Sequence, residues 1–237
     1  MNSLNLKFSN VSFSIGKDYI LNDISFNISN KEKVCIVGKN GSGKSTLLNL
    51  IAGELDFDHG EIYKSSNLEV ALLKQDIEIN KFDKIKNFLI SNEDYSTQND
   101  LHKIAKNFNI NFEKNINECS GGELRICSLI KTLSKQSNII LLDEPTNHLD
   151  INSIEWLEEY LIKINKTILV ISHDRRFTNN ICKRVFWINN SHLYDFKTNL
   201  YDFQKNKDFL LNNDIEKSNK LKKQIDNEIA WSKRGVS

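Results

Sequence analysis

Residues 4–29 alternate apolar and polar side chains, as LNLKFSNVSFS and then ILNDISFNIS. A period of two marks strands with one buried face, so this stretch predicts an antiparallel pair. The pattern then changes. KVCIVG (33–38) is an almost continuous apolar run ending at a glycine, as in a strand buried on both faces of a parallel sheet. STLLNLIAG follows with apolar positions at helical spacing and Gly53 as its stop. EIYKSSNLEVALLKQD (61–76) predicts one or two short strands, and the spacing from 77 to about 135 is helical with polar gaps. NIILLDEP (138–145) and TILVISHD (167–174) are further buried-strand runs, with the helical SIEWLEEYLIKI (153–164) between them. Strand–helix–strand alternation implies right-handed parallel crossovers. RVFWINNSHLYDF (184–196) predicts a closing hairpin. The expected fold class is α/β, with an antiparallel β subdomain, a parallel-sheet core and a helical subdomain at about 77–135.

Composition narrows the function classes without choosing one. The formal net charge over 237 residues is +1, so bulk electrostatics select no polyanionic partner. No apolar run approaches the ~18 residues of a membrane span, and MNSLNLKFSN lacks the basic-then-apolar order of a signal peptide. Cys35, Cys119, Cys127 and Cys182 are scattered with no CxxC pair. A reduced cytoplasmic chain with no membrane partner is the expectation.

The first chemistry-bearing segment is Gly38-Lys39-Asn40-Gly41-Ser42-Gly43-Lys44-Ser45-Thr46, which fits G-x-x-x-x-G-K-[ST] between a strand and a helix. Glycines free the backbone amides to turn toward phosphate oxygens, and the helix start adds its positive dipole end. Lys44 is the point charge for the β- and γ-phosphates, and the Ser45 hydroxyl is a candidate Mg²⁺ ligand. Asp143 ends IILLD, where its carboxylate can face that metal, and Glu144 follows as candidate general base for an attacking water. His173 ends TILVIS at the carboxyl end of a parallel strand, where ligands of open α/β sheets sit. Its expected role is to contact the γ-phosphate and order the water. Gln75, after VALLK, is a candidate contact to Mg²⁺ or water by its position alone. The cofactor expectation is Mg²⁺, with ATP as substrate.

CSGGEL (119–124) raises a separate question, because paired glycines weaken a helix, by about 1 kcal/mol each, yet here they precede ELRICSLIKTL. GKNGSGKST, CSGGEL, ILLDEPTNHLD and SHDRRF, in this order, resemble the ATP-binding cassette superfamily over residues 4–200. EPTNHLD and SHDRRF further resemble its ABC-F class, soluble tandem-cassette proteins. The resemblance implies an ABC-type P-loop NTPase in which two cassettes sandwich two ATPs, each held by one cradle and the partner's signature motif. By that analogy Ser120, Gly121, Gly122 and Glu123, at the start of a helix near Glu123, face a partner's nucleotide, and Asp150 is the D-loop aspartate. The second cassette would come from a homodimer or another chain. Cys119 stands where the family usually has Leu, at a position that packs, so its effect is expected to be modest. Ile15 stands where an adenine-stacking aromatic often lies, with Tyr19 nearby, which leaves adenine against guanine selectivity open.

The cassette is assigned to 1–203 and a helical basic linker stub to 204–237. Over 205–237 eight basic residues face five acidic ones, with Leu211, Ile215, Leu221, Ile225 and Ile229 forming one apolar stripe. The resemblance implies a linker contacting ribosomal RNA, with DNA as the other nucleic acid. No second GxxxxGKS occurs, so the expectation is one cassette that pairs with another chain or is a piece of a tandem protein. Three readings remain open: an ATP-hydrolysing ABC-F-like enzyme acting on the ribosome, a nucleotide-gated binding module that hydrolyses little, and the ATPase subunit of an ABC transporter.

Overall fold

The structure, a computed structural model, describes residues 4–73, 83–90, 95–108 and 110–207. The chain divides into two compact units, 1–200 and 201–237. In the second, the described residues 201–207 are helical. There Asn206 Nδ2 donates to the Asp202 carbonyl at 3.0 Å and Lys205 Nζ lies 4.3 Å above the Tyr201 ring. The linker expected over 204–237 lies outside the described residues from 208 onward.

The first unit contains two sheets. β1 (Leu4–Ile15) and β2 (Asp18–Ser29) form the antiparallel pair that alternation predicts, in a register that puts Phe8 opposite Phe26 and Val11 opposite Ile24. The Phe8 and Phe26 rings stack with centroids 4.5 Å apart. β4 (His59–Lys64) adds to the other side of β1. Its Gly60, at φ +98°, is required: a Cβ there would lie 2.4 Å from the Asn10 carbonyl oxygen, where the β1–β4 register shifts. β5 (Val70–Leu72) joins the second sheet, so the 61–76 run is two strands in two different sheets.

The second sheet runs β5-β6-β7-β3-β8-β9, with β3 (Lys33–Gly38), β6 (Ile139–Asp143), β7 (Thr167–Ile171) and β8 (Arg184–Asn189). β9 (His192–Phe196) closes it as an antiparallel edge, the predicted hairpin. Every residue of β6 and β7 is buried, which is why their sequences show no alternation. α1 (Lys44–Ala52) follows β3, and α5 (Ile151–Lys163) and α6 (Arg175–Ile181) make the crossovers after β6 and β7. Leu47, Leu48, Leu50 and Ile51 of α1 share one core with Phe8, Phe26 and Ile28 of the first sheet and Val34, Ile36, Leu141 and Leu169 of the second. α1 is thus held between both sheets.

The helical subdomain contains α2 (Ile85–Ile90), α3 (Tyr95–Ala105) and α4 (Gly121–Ser134). Between α3 and α4 the described residues form turns and one 3₁₀ turn, Ile116–Glu118, so the helical pattern is less continuous than expected. The subdomain meets α5 at Phe108, whose ring stands edge-on to Trp156 at 5.2 Å. Among the described residues no helix is long and apolar enough to cross a membrane.

One polar tie holds the sheet's edge. Arg184, only 5% exposed, donates twice to Asp195 of β9, at 2.8 and 2.6 Å, and once to Glu32 before β3, at 2.5 Å. Burial disfavours its charge, and the Asp195 and Glu32 carboxylates more than restore it. Arg184→Ala leaves both carboxylates without their partner, so a loss on the order of 3 kcal/mol is expected in urea unfolding. Arg184→Lys should recover only part of it, because an ammonium cannot reproduce the two-pronged contact.

Candidate functional site

The P-loop joins β3 to α1, and its shape follows from contacts that forbid side chains. A Cβ on Gly38 would lie 2.5 Å from Ser42 Oγ and 2.6 Å from the Ile188 carbonyl oxygen. Gly43, at φ +97°, caps α1, and a Cβ there would press on Ile20 and Leu21 at 3.0–3.1 Å. The Leu47 amide donates to the Gly43 carbonyl at 2.9 Å. The amides of Lys44, Ser45 and Thr46 precede that first helical bond, so they are free to serve an anion. Lys44 Nζ folds over the loop and donates to the Gly38 and Lys39 carbonyls, each at 3.0 Å. Ser42 Oγ is buried within the loop without a protein partner. Such a cradle suits a phosphate chain and its counter-ion.

Ser45 Oγ donates to Asp143 Oδ2 at 2.6 Å, across 98 residues of chain. Asp143 is 6% exposed at the end of β6. Glu144 is next, at φ +49°, a left-handed conformation costing a non-glycine residue about 1 kcal/mol or more. Its amide donates to the Ile171 carbonyl at 2.8 Å, and the bend turns its side chain toward the end of β7. There Glu144 Oε2 accepts from the His173 amide at 3.2 Å, and Oε1 lies 3.5 Å from His173 Nε2. The two acids diverge, as expected, because of this bend in addition to strand alternation. Gln75 lies outside the described residues.

The signature segment is engaged within its own chain. α4 starts at Gly121 with Ser120 as its N-cap, two residues before the expected start near Glu123. Ser120 Oγ accepts from the Glu123 amide at 3.2 Å, and the Ser120 amide and hydroxyl donate back to Glu123 Oε2 at 2.8 and 3.0 Å. Lys114 Nζ grips the same carboxylate at 2.7 and 2.8 Å. Lys114, then the Ser120 donors, hold the Glu123 carboxyl down at about 2. The two glycines have different reasons. A Cβ on Gly122 would approach His148 Cβ at 3.3 Å, whereas one on Gly121 would meet nothing within 4 Å. Cys119 is half-buried, and its thiol donates to the Asn115 carbonyl at 3.3 Å.

A further contact joins this helix to the phosphate end: Arg125 Nη2 donates to the Asp143 carbonyl at 2.5 Å. Neither Arg125, Lys114 nor His148 is singled out by sequence reasoning, since each depends on a fold-dependent partner. Asp150 caps α5, accepting from the Ser153 amide at 2.7 Å. That amide bond holds its carboxyl below the usual range. Of the two base-contact candidates, Tyr19 lines a groove of about 260 Å³ with Lys39, Asn40, Gly41 and Ser42. Ile15, 65% exposed, stands opposite Asp18 at the β1–β2 hairpin tip and does not line it.

The Glu123 network carries its own test. A carboxyl held at about 2, against an ordinary ~4.3, contributes stability above pH ~4.3 and loses it as the pH falls through about 2. The Glu123 side-chain ¹³C signal should titrate with a midpoint near 2. Lys114→Ala should move that midpoint up toward the usual carboxyl range.

Comparisons with known proteins bear on this site. The family profile described as "ABC transporter" matches residues 21–147. The "ATP-binding protein Uup" of Buchnera aphidicola subsp. Schizaphis graminum is 39% identical over 227 residues, covering 92% of this chain and 38% of that protein. The Uup protein of Escherichia coli K12 is 29% identical, covering 92% of this chain and 40% of its own length. The chain therefore spans about two fifths of the curated relatives it matches. Among solved structures, an "ATP binding subunit of ABC transporter" superposes with TM-score 0.70 at 18% identity, covering 87% of this chain and 94% of that one. A "bacterial Atm1-family ABC exporter with ATP bound" gives TM-score 0.73 at 20% identity, covering 86% and 41%. At such identities the likeness speaks to fold alone. With the family profile spanning more than half of the residues, and the Uup proteins matching most of the chain, this protein belongs to the ABC transporter family of ATP-binding cassettes, whose members are ATPases.

Proposed function

We propose that the chain is an ABC-F-like cassette that hydrolyses ATP with Mg²⁺, works with a second cassette, and acts in the cytoplasm on the ribosome or its RNA. The observation that carries the reading is the 2.6 Å contact of Ser45 with Asp143 beside the Glu144–His173 pair. The α1 amides and Lys44 bind the triphosphate, and Tyr19 meets the base. Ser45, Asp143 and Gln75 would hold the metal. That set suits Mg²⁺, which takes one or two carboxylates together with substrate phosphates and keeps several waters. Bound there, the ion would neutralise charge on the transferring phosphoryl group.

Glu144 takes a proton from water as the water oxygen bonds to the γ-phosphorus. The bond from that phosphorus to the bridging oxygen breaks, and ADP keeps the electron pair. His173 orients the Glu144 carboxylate and the γ-phosphate. The partner's signature supplies the remaining donors. In this chain those are the Gly121 and Gly122 amides, with the Ser120 hydroxyl available once Glu123 releases it. Asp150 lies in the loop expected to approach the partner. The ribosomal target rests on the ABC-F-like EPTNHLD and SHDRRF, with DNA the alternative nucleic acid. A second reading, a clamp that turns over little ATP unpartnered, is favoured by the capping box that occupies Ser120.

Glu144→Gln should lower phosphate release by about 100-fold or more while fluorescent-nucleotide titration still detects ATP binding. With ATP, that variant should sediment with ribosomes. Unchanged release would overturn the role of Glu144. Absence from the ribosomal pellet, with ATP bound, would overturn the ribosomal reading. No release from the wild-type chain at any concentration would favour the clamp.

A further inference from the structure

The end of the parallel sheet remote from the P-loop is built differently from the rest of the molecule. Two grooves run along the amino ends of the parallel strands, of about 440 and 620 Å³, and Lys31 lines both. The first adds Lys33 at the start of β3, Lys183 before β8 and Lys197 after β9, and the second adds Lys163 and Lys166 before β7. Among the described residues the only acid in either lining is Glu32, already held by Arg184. Six lysines therefore line one end of the sheet in a chain whose net charge is +1. β3 separates them from the P-loop by its six residues, about 17 Å at ~3.3 Å per step. They are too far away to serve the nucleotide.

How the lysines are held bears on what they bind. Lys33 Nζ donates to the Ile162 carbonyl at 2.6 Å, and Lys166 Nζ to the Lys135 carbonyl at 2.8 Å. Partial burial lowers the basicity of both, a cost that an incoming anion would relieve. Lys163 pairs with Glu159 at 2.9 Å in an exposed contact of little strength. Among the described residues Lys31, Lys183 and Lys197 are exposed, with no carboxylate in ion-pair reach. Among the described residues no aromatic side chain lines either groove, so none offers a base a stacking platform there. Asn165 adds an amide, and Asn138, whose Oδ1 accepts from the Glu69 amide at 2.7 Å, adds Nδ2 donors, groups that can meet sugar hydroxyls.

We infer that this lysine-lined end of the sheet docks the phosphate–ribose backbone of duplex RNA. Distributed positive charge without stacking groups suits a helical backbone better than an unpaired strand. Side-chain amides beside the lysines suit the 2′-hydroxyls that a duplex RNA displays across its wide minor groove. The surface deepens the ribosomal reading proposed above and rests on it for the choice of RNA. It also leaves the nucleotide end free, so cassette closure and RNA contact do not compete for the same face.

The test uses the full chain with a fluorescein-labelled 20-base-pair RNA duplex, read by anisotropy at several KCl concentrations. In Lys31→Gln/Lys183→Gln/Lys197→Gln, affinity should fall at least tenfold. The slope of log affinity against log salt should become shallower by about one for each lost phosphate contact. ATP binding and phosphate release should be unchanged, which also reports folding, and replacement of the same three lysines by Arg should restore RNA binding. A DNA duplex of the same sequence should bind more weakly. Unchanged RNA affinity in the Gln variant overturns the inference, as does equal binding of the DNA duplex or loss confined to binding of anionic lipid vesicles. If Glu144→Gln still pellets with ribosomes while the Gln variant keeps its RNA affinity, only this surface is wrong. If the pelleting fails while the RNA result holds, the ribosomal reading is wrong.

Discussion

The structure depends on the burial of α1 between two sheets. Four apolar side chains of one nine-residue helix fill the space between the antiparallel β1–β2–β4 layer and the parallel strands. Once that core is closed, the start of α1 has one place to be, over the carboxyl ends of β3, β7 and β6. Lys44 and Ser45 are the first residues of that helix, and Asp143 is the last residue of β6. The Ser45–Asp143 hydrogen bond thus follows from apolar packing that contains neither residue.

Left-handed backbone recurs at the same end. Gly41 and Gly43 adopt left-handed backbone at little cost, which is why glycine occupies them. Glu144 and His148 adopt it without that freedom, and both lie in the loop that follows Asp143. Glu144 is thereby turned to His173, and His148 is brought against Gly122 at the start of α4. Together with the Arg125 contact to the Asp143 carbonyl, this gives the signature helix two direct links to the phosphate end. A shift of α4 would bear on the main chain that carries Asp143.

Much of the architecture was legible because the relevant information is local. Apolar runs of five and six residues marked β6, β7 and β3, and alternation marked β1 and β2. The GKNGSGKST segment could be read as a phosphate cradle because its geometry is a property of consecutive backbone units. Asp143 and His173 were legible one step less directly, through the rule that parallel strands present their carboxyl ends together. Less visible was the division of 61–76 between two sheets, since β4 and β5 differ in pairing partner and not in pattern. Ile15 against Tyr19 likewise could not be decided along the chain, because a hairpin tip and a groove wall are a few residues apart in sequence.

By itself, then, the order of residues determined the elements, the cradle and the identity of the chemical groups, because periodicity and backbone freedom act over a few residues. The tertiary structure alone decided which groups meet: Ser45 with Asp143, Arg125 with the Asp143 carbonyl, Gly122 with His148, Lys114 with Glu123, and Arg184 with Glu32 and Asp195. It also gathered lysines from positions 31 to 197 onto one end of the sheet. Many of these pairings join residues far apart along the chain, and all of them depend on how helices and sheets share a common core, a property that no short window of sequence contains.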